Sequence, residues 1–455
     1  MLIMFSDFLF MFLAIAFSII TLSILFVLTL RPALLLYTVP LLLSVEYRLE
    51  LGFASFALAE LSAVLVWIVS LLRIRRRHRI LLKRNEVVLL IFIMIVALPS
   101  IFFERDARHA LSVYRDFTIP LIFFAGFMSA GLSRQQTIKL LKVFVLLATV
   151  SAILAILQFR TGNYMWTMRP EDRFWQDFKA GFIRSSAVGQ LFGVEDTLPV
   201  GLYSTTNNFA SFLVIPTVLA FALAILPSRS RSERLLWKAS FVALFAGLLL
   251  TFSRSSLITF LAAWLFLMIF RRKDRVSSYR FAVFGGAVLL LSGLMLGSGI
   301  LSWDQLGTLQ GRMSMFQAGL KLLNEHPEAL LTGGFTEDYL ARYYQEQLIH
   351  NLPLYMALQF SFLAALAWLL LVIIKLRYIL GVIHSRDKEM GFLGLALFGG
   401  VFATVFIYAQ TTSFADSVQS SLWLFFWMGI GSYLSYFHKH ETLVCKEGSG
   451  KLTEV

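Results

Sequence analysis

The stretch that decides the fold is residues 311–354, GRMSMFQAGLKLLNEHPEALLTGGFTEDYLARYYQEQLIHNLPL. It is one of two long polar segments, with 159–206, in a chain that otherwise consists of apolar stretches. Arg312 opens it, and a His350-Asn351 pair closes it at the mouth of the next apolar stretch. This alternation predicts a polytopic membrane protein whose chemistry lies in the polar segments between spans.

The composition agrees with membrane insertion. The 455 residues are 58% hydrophobic and 15% aromatic, with a mean hydropathy of +0.75, which is more apolar surface than a soluble core can bury. The net charge of +13 gathers in short loops, as the positive-inside rule requires, so it argues against a nucleic-acid partner. Cys445, the single cysteine, excludes a disulfide framework.

Twelve apolar stretches are predicted to span the membrane, and residues 33–45 are a shorter thirteenth that spans, re-enters or joins its neighbour. We therefore expect an all-α transmembrane helix bundle of 12 to 13 spans. It forms a single domain over residues 1–436, followed by a cytoplasmic tail at 437–455. The twelve stretches are 9–30, 53–72, 87–103, 112–131, 140–158, 207–226, 236–252, 255–270, 281–300, 352–374, 391–409 and 418–436.

Basic loops predict the orientation of these spans. The block at 73–84 is expected to stay in the cytoplasm, and four further basic loops then fall on the same side. This places 159–206 and the loop 301–351 on the outer face. In that loop, residues 313–324 and 336–349 are predicted to form two amphipathic helices along the membrane surface, either as a lid over a lipid entrance or as simple surface packing.

Arg254 lies between an outward span and its return, in Thr251-Phe-Ser-Arg-Ser-Ser-Leu257. If Ser253 caps the returning helix, Arg254 occupies its first turn, where free N–H groups and the helix dipole favour an anion. The alternative is an arginine that snorkels to lipid headgroups. Arg312 is predicted to face the same point, so that the two arginines would neutralise a leaving pyrophosphate.

Three other side chains are candidates for the same outer site. His350, with an ordinary pKa of about 6.5, is a candidate general base, although a polar anchor at the interface is the alternative. Asn207 follows the polar entrance Gly201-Leu-Tyr-Ser-Thr-Thr, with ordinary helix capping by Thr206 or Asn207 as the alternative. Arg115 is a weaker candidate. Metal-ligand and nucleotide-binding spacings are missing from the sequence, so no metal or cofactor is predicted.

Taken in order, these motifs resemble the O-antigen ligase and polymerase superfamily of bacterial membrane glycosyltransferases. Gly201 to Phe212 resembles its Gly-x-x-x-x-x-Asn-x-x-Ala segment, and three later motifs follow. The sequence departs from the family where the His-Asn pair is usually followed by a glutamate and two glycines, because Gln359, Ser361 and Ala364 stand there. The three later motifs are Ser253-Arg254-Ser255, Gly311-Arg312 with His326-Pro327, and His350-Asn351-x-x-Leu354.

The resemblance implies a fold like that of the type C glycosyltransferases and an inverting, metal-independent transfer at the periplasmic face of the inner membrane. The donor would be a glycan on undecaprenyl pyrophosphate, held by Arg254 and Arg312, with Ser253, Asn207, Asn351 and Arg115 as further binding residues. His350 would activate the acceptor hydroxyl. The acceptor is a lipid or a glycan in a ligase or polymerase, and a protein in an O-oligosaccharyltransferase. From another class, a lipid-linked glycan flippase is the rival, although a transporter would place its charges near the midplane.

Overall fold

The computed structural model describes most of the apolar part of the chain. The predicted spans 9–30 and 281–300, the second amphipathic helix at 336–349, and Arg312, His350 and Asn351 lie outside the described residues. The described residues are 32–45, 48–50, 55–57, 59–74, 81–103, 107–161, 199–203, 205–226, 230–270, 314, 316–334, 352–385, 387–408 and 418–450.

Helices make up nearly all of this structure. A 3₁₀ helix, Pro32–Tyr37, and a short hairpin of β1 (Arg48–Glu50) with β2 (Ser55–Ala57) come first, and residues 316–325 form a further helical stretch. The α-helices are α1 (Val39–Leu43), α2 (Glu60–Ile74), α3 (Arg84–Ala97), α4 (Ser100–Phe103), α5 (Ala107–Ser129), α6 (Arg134–Thr161), α7 (Thr206–Ile225), α8 (Arg231–Leu250), α9 (Arg254–Phe270), α10 (Ala329–Thr332), α11 (Leu352–Phe360), α12 (Phe362–Val382), α13 (Lys388–Phe406) and α14 (Val418–Gly450).

The long helices alternate in direction, so the start of each one lies at the opposite end of the bundle from the start of the next. We call the end at which α7 and α9 begin the upper end, and the opposite end the lower end. Arg134, which opens α6, forms an ion pair with Asp387, which caps α13, so both helices begin at the lower end. Lys142 of α6 likewise contacts Glu233 of α8 at 3.3 Å. Both ion pairs therefore lie at the lower end.

Two consecutive glycines in α13 bring three helices close together. A Cβ on Gly399 would lie 3.1 Å from the carbonyl oxygen of Ala263 in α9, and one on Gly400 would lie 3.1 Å from Ile215 in α7. Helices in a membrane associate through such close packing, because lipid tails are as apolar as the side chains they would replace. The pair fixes α7 and α9 against α13.

The predicted all-α membrane helix bundle is confirmed. Within the described residues, six helices are long and apolar enough to cross a membrane. They are Arg84–Phe103, Ala110–Ser129, Arg134–Thr161, Thr206–Ile225, Phe362–Val382 and Lys388–Phe406. The last helix, α14, continues to Gly450, beyond the predicted end of the last span at 436.

Two predicted boundaries were wrong. The span at 352–374 is interrupted at Ser361, whose φ of 115° ends α11, and a new helix of 21 residues begins at Phe362. The span at 53–72 was placed too early, because 55–57 is a strand and α2 begins at Glu60. The stretch 33–45, for which the sequence left a span, a re-entrant segment and a joined helix open, folds as a short 3₁₀ helix and a five-residue α-helix. At Ser361 the residues on both sides are apolar, so hydropathy gives no sign of that break.

Candidate functional site

Arg254 is the first residue of α9, at the upper end. The turn before it is tight: Phe252 adopts a left-handed φ of 51°, and the Ser253 N–H donates to Thr251 Oγ1 at 3.3 Å. The Ser253 carbonyl accepts the N–H of Leu257 at 3.0 Å, which is the first intrahelical bond. Ser253 therefore stands at the N-cap position, and Arg254 lies in the first turn as the sequence predicts.

Hydroxyl groups surround the start of α9. Ser253 Oγ lies 3.1 Å from Ser256 Oγ and 3.5 Å from Ser255 Oγ. Ser253 and Ser256 are buried, whereas the side chain of Arg254 is half-buried. The first turn of a helix presents N–H groups and the positive end of its dipole. A guanidinium group, short hydroxyl side chains and a helix N-terminus thus meet here, which suits an anion with several oxygen atoms.

Asn207 lies in the first turn of α7 and is exposed. Neither of the two predicted capping residues caps this helix, because Thr205 does so by accepting the N–H of Asn208 at 3.2 Å. Thr205 adopts the extended backbone that an N-cap requires, one residue before the predicted position. The carbonyl oxygen of Asn207 accepts a hydrogen bond from the hydroxyl of Tyr408, beyond the upper end of α13, at 3.1 Å.

A buried glutamine holds the segment that leads into Asn207. Gln158 of α6 accepts the backbone N–H groups of Val200 and Gly201 at 3.2 and 2.8 Å and donates to the carbonyl of Gly201 at 3.0 Å. Gly201 adopts a φ of 58°, and a Cβ there would lie 2.6 Å from the ring of Phe209. The sequence analysis missed Gln158, because nothing in its apolar surroundings links it to a segment more than 40 residues later.

Arg254 and Asn207 lie at the same height in the bundle. Ala263 and Ile215, which meet the glycine pair of α13, follow Arg254 by nine residues and Asn207 by eight. At a rise of 1.5 Å per residue, both site residues therefore lie about 12 to 14 Å above that pair. The structure thus brings two of the predicted site residues to the upper ends of helices that pack against the same neighbour.

Arg115 is engaged with two carboxylates. It contacts Asp116 Oδ1 through Nε at 3.0 Å and Nη2 at 2.8 Å, and Nη2 lies 3.5 Å from Glu60 Oε1. Glu60 also accepts the N–H of Ala57 at 3.0 Å, so the pair links α5 to the β-hairpin. These contacts offset the charge of Arg115, and they give it a packing role beside any role in binding.

The helix that follows His350 and Asn351 is described from Leu352 onward. It is short and buried, and it ends at Ser361, whose φ is 115°. Gly334, after the helical stretch at 316–325, donates its N–H to the carbonyl of Gln359 at 3.0 Å. This bond joins the loop 301–351, which contains Arg312, to α11, the helix that follows His350.

The fold and the upper-end residues define a multi-pass helical membrane protein with a polar, arginine-bearing centre at one end of its bundle. Residues 239–360 match the family model described as O-antigen ligase. This match confirms the predicted resemblance to the O-antigen ligase and polymerase superfamily, which are membrane glycosyltransferases. It includes Arg254, Arg312 and His350, while Asn207 and Arg115 lie before it. The comparison with curated proteins yields no matching sequence.

Proposed function

We propose that the protein transfers a glycan from undecaprenyl pyrophosphate to an acceptor hydroxyl at the periplasmic face of the bacterial inner membrane. The observation that carries this proposal is the O-antigen ligase match over 239–360, which includes the predicted arginine and histidine residues. The half-buried position of Arg254 at the start of α9 supports it, because that site favours an anion.

The donor pyrophosphate is held by charge and by hydrogen bonds. The guanidinium group of Arg254 binds phosphate oxygens in a bidentate manner, and Arg312 adds a second positive charge. Ser253 and Asn207 lie at the same end of the bundle and supply polar contacts to the donor, and Asn351 and Arg115 are further candidates. Partial burial strengthens these contacts, because the local dielectric is lower than that of water.

The reaction is a single inverting displacement. The acceptor oxygen attacks the anomeric carbon, its proton passes to His350, and a new glycosidic bond forms while the bond from that carbon to the pyrophosphate oxygen breaks. Undecaprenyl pyrophosphate leaves with the electron pair. The two arginines stabilise the negative charge that develops on it, and one such contact is worth about 3 to 4 kcal/mol in the transition state.

The test is glycan transfer by the purified protein in vesicles, with lipid-linked donor and no added nucleotide. Arg254→Ala, Arg312→Ala and His350→Ala are each expected to lower the transfer rate by about 100-fold or more. Arg254→Lys should retain part of the rate, because lysine keeps the charge but loses the bidentate geometry.

Arg160→Ala is the matched control for Arg254. Arg160 is an exposed arginine in the last turn of α6 at the same end, outside the matched segment. If Arg254 only snorkels to headgroups, both alanine variants will retain transfer, and the proposed phosphate contact is then wrong. Activity that survives in His350→Ala would remove His350 as the base.

Separate acceptors distinguish the members of this class. Product with lipid A core identifies a ligase, product with a second lipid-linked unit a polymerase, and product on a protein an O-oligosaccharyltransferase. Transfer should persist with a chelator present. Movement of intact donor across the vesicle membrane, without product, would instead support a flippase and refute glycosyl transfer.

A further inference from the structure

Three lysines surround one tyrosine at the lower end, far from the candidate site. The Nζ atoms of Lys83 and Lys439 each lie 4.9 Å from the ring centroid of Tyr378, and that of Lys375 lies 5.2 Å away. The lysines come from three places in the chain: Lys83 immediately precedes α3, Lys375 lies in the second half of α12, and Lys439 lies within α14, eleven residues before its end. All three distances are within the range of a cation–π contact.

The cluster carries more positive charge than the described part of the chain neutralises around it. Glu86 forms a buried ion pair with Lys375 at 2.7 Å, which offsets one of the three ammonium groups. Lys83 and Lys439 are both exposed. The hydrogen bond from Lys83 to Tyr378 raises the pKa of this lysine, which further favours its charged form. The two exposed ammonium groups thus both contact the ring of Tyr378. An aromatic ring attracts a cation more weakly than an anion does.

An exposed apolar surface begins beside these cations. Helices α3 and α12 pack against each other, and on their outward faces they expose Val88, Ile91 and Ile373. Val88 follows Lys83 by five residues, and Ile373 precedes Tyr378 by five, so the apolar surface starts within about 8 Å of the cluster along the helices. The lysines suit the charged headgroup of a phospholipid, and the exposed apolar surface beside them suits its acyl chains.

We propose that Lys83, Lys439 and Tyr378 bind the phosphate of an anionic phospholipid from the leaflet at the lower end. The acyl chains of this lipid then lie along the exposed faces of α3 and α12. Basic groups between transmembrane helices on the cytoplasmic side are suited to such headgroups. The site is independent of the proposed glycosyl transfer, because it lies at the opposite end of the bundle.

Native mass spectrometry of the purified full chain tests this site. Wild-type protein should retain phosphatidylglycerol in preference to phosphatidylcholine. The double variant Lys83→Gln/Lys439→Gln should weaken retention of phosphatidylglycerol roughly 30-fold, because each lysine near an anionic surface contributes about fivefold. Both lysines are exposed, and an unchanged elution volume in size-exclusion chromatography will show that the variant is folded.

The control is Arg234→Gln/Lys238→Gln, which removes two exposed positive charges from α8 at the same end. It should retain phosphatidylglycerol like the wild type. Equal losses in the two double variants would mean that only general surface charge matters, and would overturn the proposal. Equal retention of phosphatidylcholine would do so as well, as would displacement of the lipid by millimolar inorganic phosphate, which would indicate a site for a free anion.

Discussion

The buried pair of Lys375 and Glu86 offers a quantitative test of the fold, because the two side chains are only 1% and 4% exposed. At 2.7 Å, opposite charges attract by about 6 kcal/mol if the effective dielectric constant is near 20. Taking each ion out of water costs several kcal/mol, so the net contribution of the pair is small. Removing one partner leaves the other charge buried and alone.

Lys375→Met should therefore lower the free energy of unfolding by about 3 to 5 kcal/mol. Glu86→Gln should lower it to a similar extent, whereas the double variant should come within about 1 kcal/mol of the wild type, because neither partner is then left as an unpaired buried charge. The assay is unfolding in mixed micelles of increasing SDS content, followed by the loss of helical circular dichroism.

Lys142 and Glu233 provide the matched control. They also join two helices, but at 3.3 Å and with 27% and 34% of their side chains exposed. Lys142→Met and Glu233→Gln should show a coupling energy below about 1 kcal/mol, because water screens this pair. If the effects of Lys375→Met and Glu86→Gln simply add, or if Lys375→Met costs no more than Lys142→Met, the reasoning about the buried pair is refuted.

Two further predictions concern the segments that support the candidate site. Ser361 adopts φ 115° and ψ 156°, a region that favours glycine, while its Oγ accepts the N–H of Ala364 and donates to the carbonyl of Val96. Ser361→Gly should raise the free energy of unfolding by about 1 kcal/mol, and Ser361→Ala should lower it by about 1 to 2 kcal/mol, both measured in the same micelle assay. Gln158→Leu should lower it by at least about 2 kcal/mol, because three backbone groups around Gly201 lose their partner. The same variant should lower the transfer rate, because this segment leads into Asn207.

Each of these two predictions has an outcome that contradicts it. A loss of stability in Ser361→Gly as large as that in Ser361→Ala would show that the hydrogen bonds of the hydroxyl matter and the backbone strain does not. For Gln158, the control is Gln135→Leu, an exposed position near the other end of α6, which should change stability by less than about 0.5 kcal/mol. Equal effects at the two positions would contradict the stabilising role of the hydrogen bonds between Gln158 and the backbone of Val200 and Gly201.

The helix bundle could be predicted from the sequence, because hydropathy and basic loops are local features of the chain. The start of α9 at Arg254 could be predicted, since an apolar stretch ends there and serines follow. The break at Ser361 could not, because a single residue with positive φ interrupts an apolar stretch without changing its composition. The hydrogen bonds of Gln158 with Gly201 and the ion pair of Arg115 with Glu60 join residues more than 40 positions apart. A single sequence does not show which distant residues are in contact.

The position of the glycine pair in the chain has a consequence for biosynthesis. Gly399 and Gly400 secure α7 and α9 from a helix that emerges from the ribosome more than 100 residues after α9 is complete. Domains of a growing chain generally form from the N-terminus onward. A nascent chain that has inserted only up to α12 still lacks α13, the helix against which α7 and α9 pack. A product that ends before α13 would therefore enter the bilayer without a correctly formed site around Arg254 and Asn207.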